Sequence, residues 1–330
     1  MTALHDPEQF IQGVLSGNRR ILAKTITLIE SSLPNHQELS RIILDRLLPY
    51  TGNAIRLGIS GIPGSGKSTF IESLGILLTQ QGHRVAVLAV DPSSKRSGGS
   101  VLADKTRMEK LAANPAAFIR PSPSGGTLGG VALKTREAAF VCEAAGFDVI
   151  IIETVGVGQS ETTVAAMVDF FLLLLIAGAG DELQGMKKGI LELIDAVVIN
   201  KADGDNIPKA LEAQRAYASA MHFLVPSTST WTPPVLTCSA LEMKGIDTIW
   251  ETVLEHRKKM MATGEFEEKR RRQAIEWMWS MIDYALKERF NANPAVKKQL
   301  GKISRSVKNG LLSPTTAAQT LLNLFEKKHF

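Results

Sequence analysis

The chain has 330 residues, 44% hydrophobic content and a net charge of +5, which suits one large α/β core with helical additions and excludes fibrous or wholly disordered classes. Cys142 and Cys238 lie far apart and the six histidines show no ligand spacing, so neither a disulfide framework nor a zinc framework is expected. The polar, acidic start argues against a secretory leader, and the longest apolar run, residues 170–177, is too short for a membrane span. A reducing cytoplasm fits this usage. Residues 251–330 hold 16 Lys and Arg against 9 Asp and Glu, so the tail is net +7. No aromatics interleave the basic residues of 297–308, so a solvated helix face is expected there, with no nucleic-acid or membrane partner.

Residues 7–49 show helical spacing. Phe10, Ile11, Val14 and Leu15 form one apolar face; Ile21, Ile26, Leu28 and Ile29 form a second after a break at Ser16-Gly17-Asn18. Pro34 and Asn35 open a third helix over 37–48. From residue 55, apolar strands alternate with helices: strands at 55–60, 84–90, 117–120, 149–153, 170–177, 196–200 and 235–238, helices at 68–80, 100–112, 128–145, 185–193 and 208–219. That order predicts an α/β fold with a mostly parallel sheet covered by helices on both faces, its chemistry collected at one edge. After Trp250 the strand signals stop. Ile275, Met278, Trp279 and Ile282 recur on one helix face, Asn293-Pro294 breaks the segment, and Ser313-Pro314 opens a final helix over 314–325. The chain thus divides into an N-terminal helical extension, 1–50, a P-loop nucleotide domain, 51–250, and a C-terminal helical region, 251–330. The Trp279 stripe is expected either to pack internally or to dock onto a second copy.

Gly61-Ile62-Pro63-Gly64-Ser65-Gly66-Lys67-Ser68 fits the phosphate-cradling loop, set directly after a strand. Its glycines let backbone N–H groups turn toward phosphates, Lys67 reaches the β and γ oxygens, and the Ser68 hydroxyl suits Mg²⁺. Asn200-Lys201-Ala202-Asp203 ends another apolar strand. The Asp203 carboxylate accepts from both N1–H and the exocyclic amine of guanine, whereas adenine N1 is itself an acceptor, so GTP is favoured over ATP. Ser239 and Ala240 sit in a short loop suited to supporting the base from its other side.

Glu153, at the end of a third strand, is placed to hold a water of the Mg²⁺ shell, and the Gly156 N–H to sense the γ-phosphate. Asp91 and Asp104, in or beside a Gly-rich polar stretch, are further metal candidates, against their roles as a turn Asp and a first-turn helix Asp. Val157 stands where small GTPases carry a water-orienting Gln, so slow intrinsic hydrolysis is expected. The missing group is left open among Gln159, Asp104, Lys187, Lys188 and a partner. The loop 178–189, with four glycines and two carboxylates, is a candidate relay of nucleotide state.

These residues resemble the MeaB/ArgK-type SIMIBI-class P-loop GTPases, the G-protein chaperones of methylmalonyl-CoA mutase. The resemblance rests on Leu57-Gly-Ile-Ser-Gly-Ile-Pro-Gly-Ser-Gly-Lys-Ser-Thr69, Val90-Asp-Pro-Ser-Ser94, Glu153-Thr-Val-Gly-Val-Gly-Gln-Ser-Glu161, Asn200–Asp203, Gly17-Asn-Arg-Arg20 and Leu28-Ile-Glu-Ser31. It implies a GTPase that binds GTP, GDP and Mg²⁺, associates with the adenosylcobalamin-dependent mutase, gates cofactor loading, protects or reactivates the enzyme, and dimerises through its C-terminal helices. By motif it gives Lys67 and Ser68 to phosphate and Mg²⁺, Asp91, Asp104 and Glu153 to the metal, Asn200 and Asp203 to guanine, and residues 178–189 to an extra switch. One departure is the absence of an additional lysine early in the phosphate loop, where Ile62-Pro63 stand. Competing readings are an ATP-dependent kinase of periplasmic lysine/arginine/ornithine-binding proteins, a nickel-insertion GTPase, for which no His- or Cys-rich tract is present, and a non-hydrolysing nucleotide module.

Overall fold

A computed structural model of the chain describes residues 6–90, 108–121, 128–154, 160–178, 191–221 and 230–326. Three helices come first: α1 (Pro7–Leu15), α2 (Arg19–Glu30) and α3 (Pro34–Leu47). Asp6 caps α1 through Glu8 N at 3.0 Å, and Asn18 caps α2 through Arg20 N and Ile21 N, both at 3.1 Å. Gly17, at φ +70°, makes the turn between them. The third helix starts at Pro34 rather than at residue 37, because Pro at the first helical position loses no hydrogen bond and brings a helical φ.

The remaining elements are β1 (Ile55–Gly61), α4 (Lys67–Gln80), β2 (Val85–Val90), α5 (Glu109–Ala113), β3 (Ala117–Arg120), α6 (Leu128–Ala144), β4 (Val149–Thr154), α7 (Ser160–Ala165), β5 (Phe170–Ile176), β6 (Ala196–Asn200), α8 (Ile207–Met221), β7 (Val235–Thr237), α9 (Ile246–Thr263), α10 (Glu265–Ala292), α11 (Pro294–Lys308) and α12 (Pro314–Glu326). The helix expected over 100–112 is described only at its end. Met108 has a non-helical backbone, so α5 begins at Glu109, where the Glu72 carboxylate of α4 accepts from Lys110 N at 2.8 Å.

Among the described residues, seven strands form one parallel sheet in the order β3-β2-β4-β1-β5-β6-β7. Alternate residues of each strand feed different cores. Ala86, Leu88, Ile150, Ile152, Phe171 and Leu173 face Leu22, Ile26, Ile29 and α6, while Val85, Val87, Val149, Ile151, Phe170 and Leu172 face Phe70, Ile71, Leu74 and Trp250. Burial on both faces explains why the strands read as unbroken apolar runs.

At the edge where the strands begin, Asp169 accepts from Arg56 N at 2.8 Å and from Arg270 Nε and Nη2 at 2.8 and 2.7 Å. Lys269 and Gln273 add bonds to the Asp169 and Val168 carbonyls, so the first turns of α10 are fastened to the starts of β1 and β5. The chain divides into two compact units, residues 1–273 and 274–330. In the second, Asn293 caps α11, α11 packs on α12, and the Phe290 and Phe325 rings lie 5.5 Å apart. Among the described residues, no helix is long and apolar enough to cross a membrane.

Candidate functional site

The carboxyl ends of β1, β4 and β6 carry the residues singled out by sequence. The phosphate loop leaves β1 at Gly61, where an added Cβ would lie 2.2 Å from the Leu174 carbonyl oxygen of the neighbouring strand, so no side chain fits. Gly66, at φ +88°, turns the loop into α4. Lys67 Nζ donates to the carbonyls of Gly61 at 2.7 Å and Ile62 at 3.2 Å, which folds the side chain back across the loop. Burial lowers its pKa, and the charges of Glu153 and then Glu161 pull it upward.

Ser68, one residue on, places its Oγ 3.5 Å from Glu153 Oε1. Glu153 is paired in register with Ile59 and Ala89 and is nearly buried. Its strand is tied to β1 by Thr154 Oγ1 donating to Ser60 Oγ at 2.9 Å. A hydroxyl and a carboxylate this close form a hard oxygen donor set that fits Mg²⁺. Among the described residues there is no wider group of three or more His, Cys, Asp or Glu that could hold a metal. Asp91, Asp104, Gly156, Gln159, Lys187, Lys188 and most of the 178–189 loop lie outside the described residues.

On the base side, Lys201 takes the left-handed conformation at φ +60°, and Asn206 Nδ2 closes that turn on the Lys201 carbonyl at 2.6 Å. Asp203 follows, half-buried, with Oδ2 accepting from Ser239 Oγ at 2.5 Å. Ser239 Oγ in turn accepts from Glu242 N at 3.1 Å. Asn200 is 2% exposed and bridges the two halves of the site. Its Nδ2 donates to the Ser65 carbonyl at 2.8 Å, and its Oδ1 accepts from Ala240 N at 3.1 Å and the Cys238 thiol at 3.4 Å. Each polar end of that side chain thus has a protein partner.

Three residues contribute through contacts that the sequence does not show, although Glu161 ends a motif string and Cys238 opens the loop of Ser239 and Ala240. Cys238 supports Asn200; Glu161, 2% exposed, adds its charge near Lys67; and Ser73 of α4 donates to the Ala240 carbonyl at 2.6 Å. Ser73 lies outside every motif, and its one signal is a small polar residue on a helix face otherwise made of Phe70, Ile71 and Leu74.

A phosphate-loop sequence at the end of β1 and the Asn200–Asp203 turn at the end of β6, on one edge of a parallel sheet, mark a P-loop GTPase. The chain belongs to the family described as "Methylmalonyl Co-A mutase-associated GTPase MeaB", whose model matches residues 22–295. It is 52% identical over 327 residues to the Mycobacterium tuberculosis protein named "Probable GTPase Rv1496", covering 98% of this chain and 97% of that one. It is 48% identical to the Escherichia coli "GTPase ArgK", with 97% of each chain covered. The mouse "Methylmalonic aciduria type A homolog, mitochondrial" is 47% identical over 332 residues, covering 98% of this chain and 80% of the mouse protein. Among solved structures, one titled "LAO/AO transport system kinase" superposes with a TM-score of 0.76 at 42% identity, covering 97% of this chain and 98% of that one.

Proposed function

We propose that this GTPase attends an adenosylcobalamin-dependent methylmalonyl-CoA mutase, gating cofactor loading and protecting or reactivating the enzyme. The observation that carries the reading is the match of the mutase-associated GTPase family over residues 22–295. Lys67 binds the β and γ oxygens from its place over the loop, and Asp203, oriented by Ser239, accepts from guanine. Ser68 and Glu153, with Asp91 and Asp104 as further candidates, would hold Mg²⁺, which would supply charge neutralisation to the phosphates. Gln159, Asp104, Lys187, Lys188 and a partner remain the candidates for positioning the attacking water. Two free, buried cysteines suit a reducing cytoplasm.

The C-terminal helices serve as a dimer interface in this reading. Ile275, Trp279, Ile282 and Leu286 recur along α10 and are 56%, 57%, 37% and 51% exposed, a seam that supports docking onto a second copy.

The 42% identity to a protein titled as a transport-system kinase keeps an ATP-dependent kinase of lysine/arginine/ornithine-binding proteins as the second reading. The carboxylate of Asp203 counts against it, since adenine offers that group no pair of donors. Titration with GTP, GDP and ATP, followed by co-purification with the mutase in each nucleotide state, separates the two. Guanine-selective binding with nucleotide-dependent mutase association is expected. ATP binding without mutase association, together with phosphate transfer to a binding protein, would move the kinase to first place.

A further inference from the structure

Ser73 lies on α4, the helix that the phosphate loop opens into, and is 7% exposed. A buried helical serine commonly returns its proton to a carbonyl of its own helix. This one reaches across to the base loop instead, donating to the Ala240 carbonyl at 2.6 Å. The Ala240 N–H is held by Asn200 Oδ1 at 3.1 Å, and Asn200 is fastened to the phosphate loop through the Ser65 carbonyl at 2.8 Å. A single residue of the base loop, Ala240, is therefore gripped at its N–H and at its C=O by groups tied to the phosphate side. The preceding residue is Ser239, whose hydroxyl sets the pose of the Asp203 carboxylate at 2.5 Å.

We propose that Ser73 is a positioning residue for base selection. Its hydroxyl fixes the 239–240 segment, and through Ser239 the Asp203 carboxylate, at a set span from the phosphate loop. Both carboxylate oxygens then meet both guanine donors when the phosphates are seated. The inference rests on the reading of Asp203 as the guanine-selecting group. Removing the hydroxyl leaves the Ala240 carbonyl buried without that donor and frees the segment to shift. The loss falls on discrimination of the base, because Lys67, Ser68 and the loop backbone are untouched.

The test compares wild type, Ser73→Ala and Ser73→Thr with GTP and with ITP, whose base lacks the exocyclic amine. Dissociation constants and single-turnover rates at saturating nucleotide are measured on the full chain. Ser73→Ala should weaken GTP binding about tenfold, weaken ITP binding less, and leave the saturated rate within about twofold. Ser73→Thr, which keeps the hydroxyl, should retain the wild-type preference. A Ser73→Ala chain with an unchanged GTP-to-ITP ratio, or one whose loss lies in the saturated rate alone, overturns the proposal. If that variant melts below the assay temperature, Ser73→Cys, with its weaker donor, reads the same ratio. A wild-type chain that does not distinguish GTP from ITP would instead sink the role of Asp203.

Discussion

The Ser239 hydroxyl donates to the Asp203 carboxylate across 2.5 Å, so the carboxylate is aimed before any nucleotide arrives. A pre-aimed acceptor loses little freedom on binding, and an amide in its place presents a donor where guanine also has one. Asp203→Asn should therefore exchange GTP for xanthosine triphosphate, with a swing in relative affinity on the order of 10²-fold or more. Competition binding with the two nucleotides checks it, and an unchanged preference would refute the assignment.

Arg56 and Glu143 form a buried ion pair at 2.6 Å, with side chains 7% and 2% exposed. Glu143 also accepts from Gly52 N at 2.7 Å, and the Arg56 guanidinium sits 4.9 Å over the Phe140 ring. Glu143→Ala strands a buried cation and should cost about 3–5 kcal/mol of stability. Arg41 and Glu38, paired at 2.7 Å on the open surface, offer the contrast: Arg41→Ala should leave the urea midpoint unchanged.

Acid should weaken the edge of the sheet remote from the phosphate loop in two stages. His256 is held below its ordinary range by burial, which outweighs the pull of Asp195 at 3.6 Å; Lys269 lowers it further, while Asp169 and Glu265 raise it. The unfolded chain takes up a proton below about pH 6.5 that the folded chain refuses, so stability falls as the pH drops through that value. Burial alone would raise Asp169, but the hydrogen bonds and charge of Arg270, with Arg56, hold it below the carboxylate range. Its contribution is whole above about pH 4 and is lost as the pH falls toward the lower folded value. Denaturant unfolding across pH should show His256→Gln flattening the segment through about pH 6.5, and Arg270→Met, which leaves burial to raise Asp169, shrinking the acid loss below about pH 4.

Trp279→Glu places a charge in the middle of the exposed seam on α10. Sedimentation should show a dimer for wild type and a monomer for the variant, with GTP affinity within about twofold, since the change lies far along the chain from the site. A wild-type monomer at micromolar concentration would leave the seam without that partner.

The sheet was legible because its strands are buried on both faces: 170–177 and 196–199 admit no polar interruption, and the second run ends at Asn200. The positions of the phosphate loop and of Asp203 at the sheet edge were legible because each motif directly follows an apolar strand. Asn200 was legible as a position but not as a bridge, since its partners Ser65 and Ala240 lie far from it in sequence. Glu161 shows the same limit, because nothing local marks a helix-start glutamate as one that will be buried near Lys67. The early start of α3 at Pro34 could have been read from the proline itself.

The strand order has a consequence for how the chain comes into being. β1 emerges from the ribosome early, yet its neighbours are β4 and β5, which follow only after β2 and β3 have been made. Until Val149 and the residues after it are available, the strand that launches the phosphate loop has no flank on either side, and until β5 follows, the Leu174 carbonyl that crowds Gly61 does not yet exist. Nucleotide cannot template the earliest folding of this chain. Pairings this distant in sequence are slow to close, so the nascent protein carries an apolar Ile55–Gly61 segment that must be kept from other strands until its own arrive.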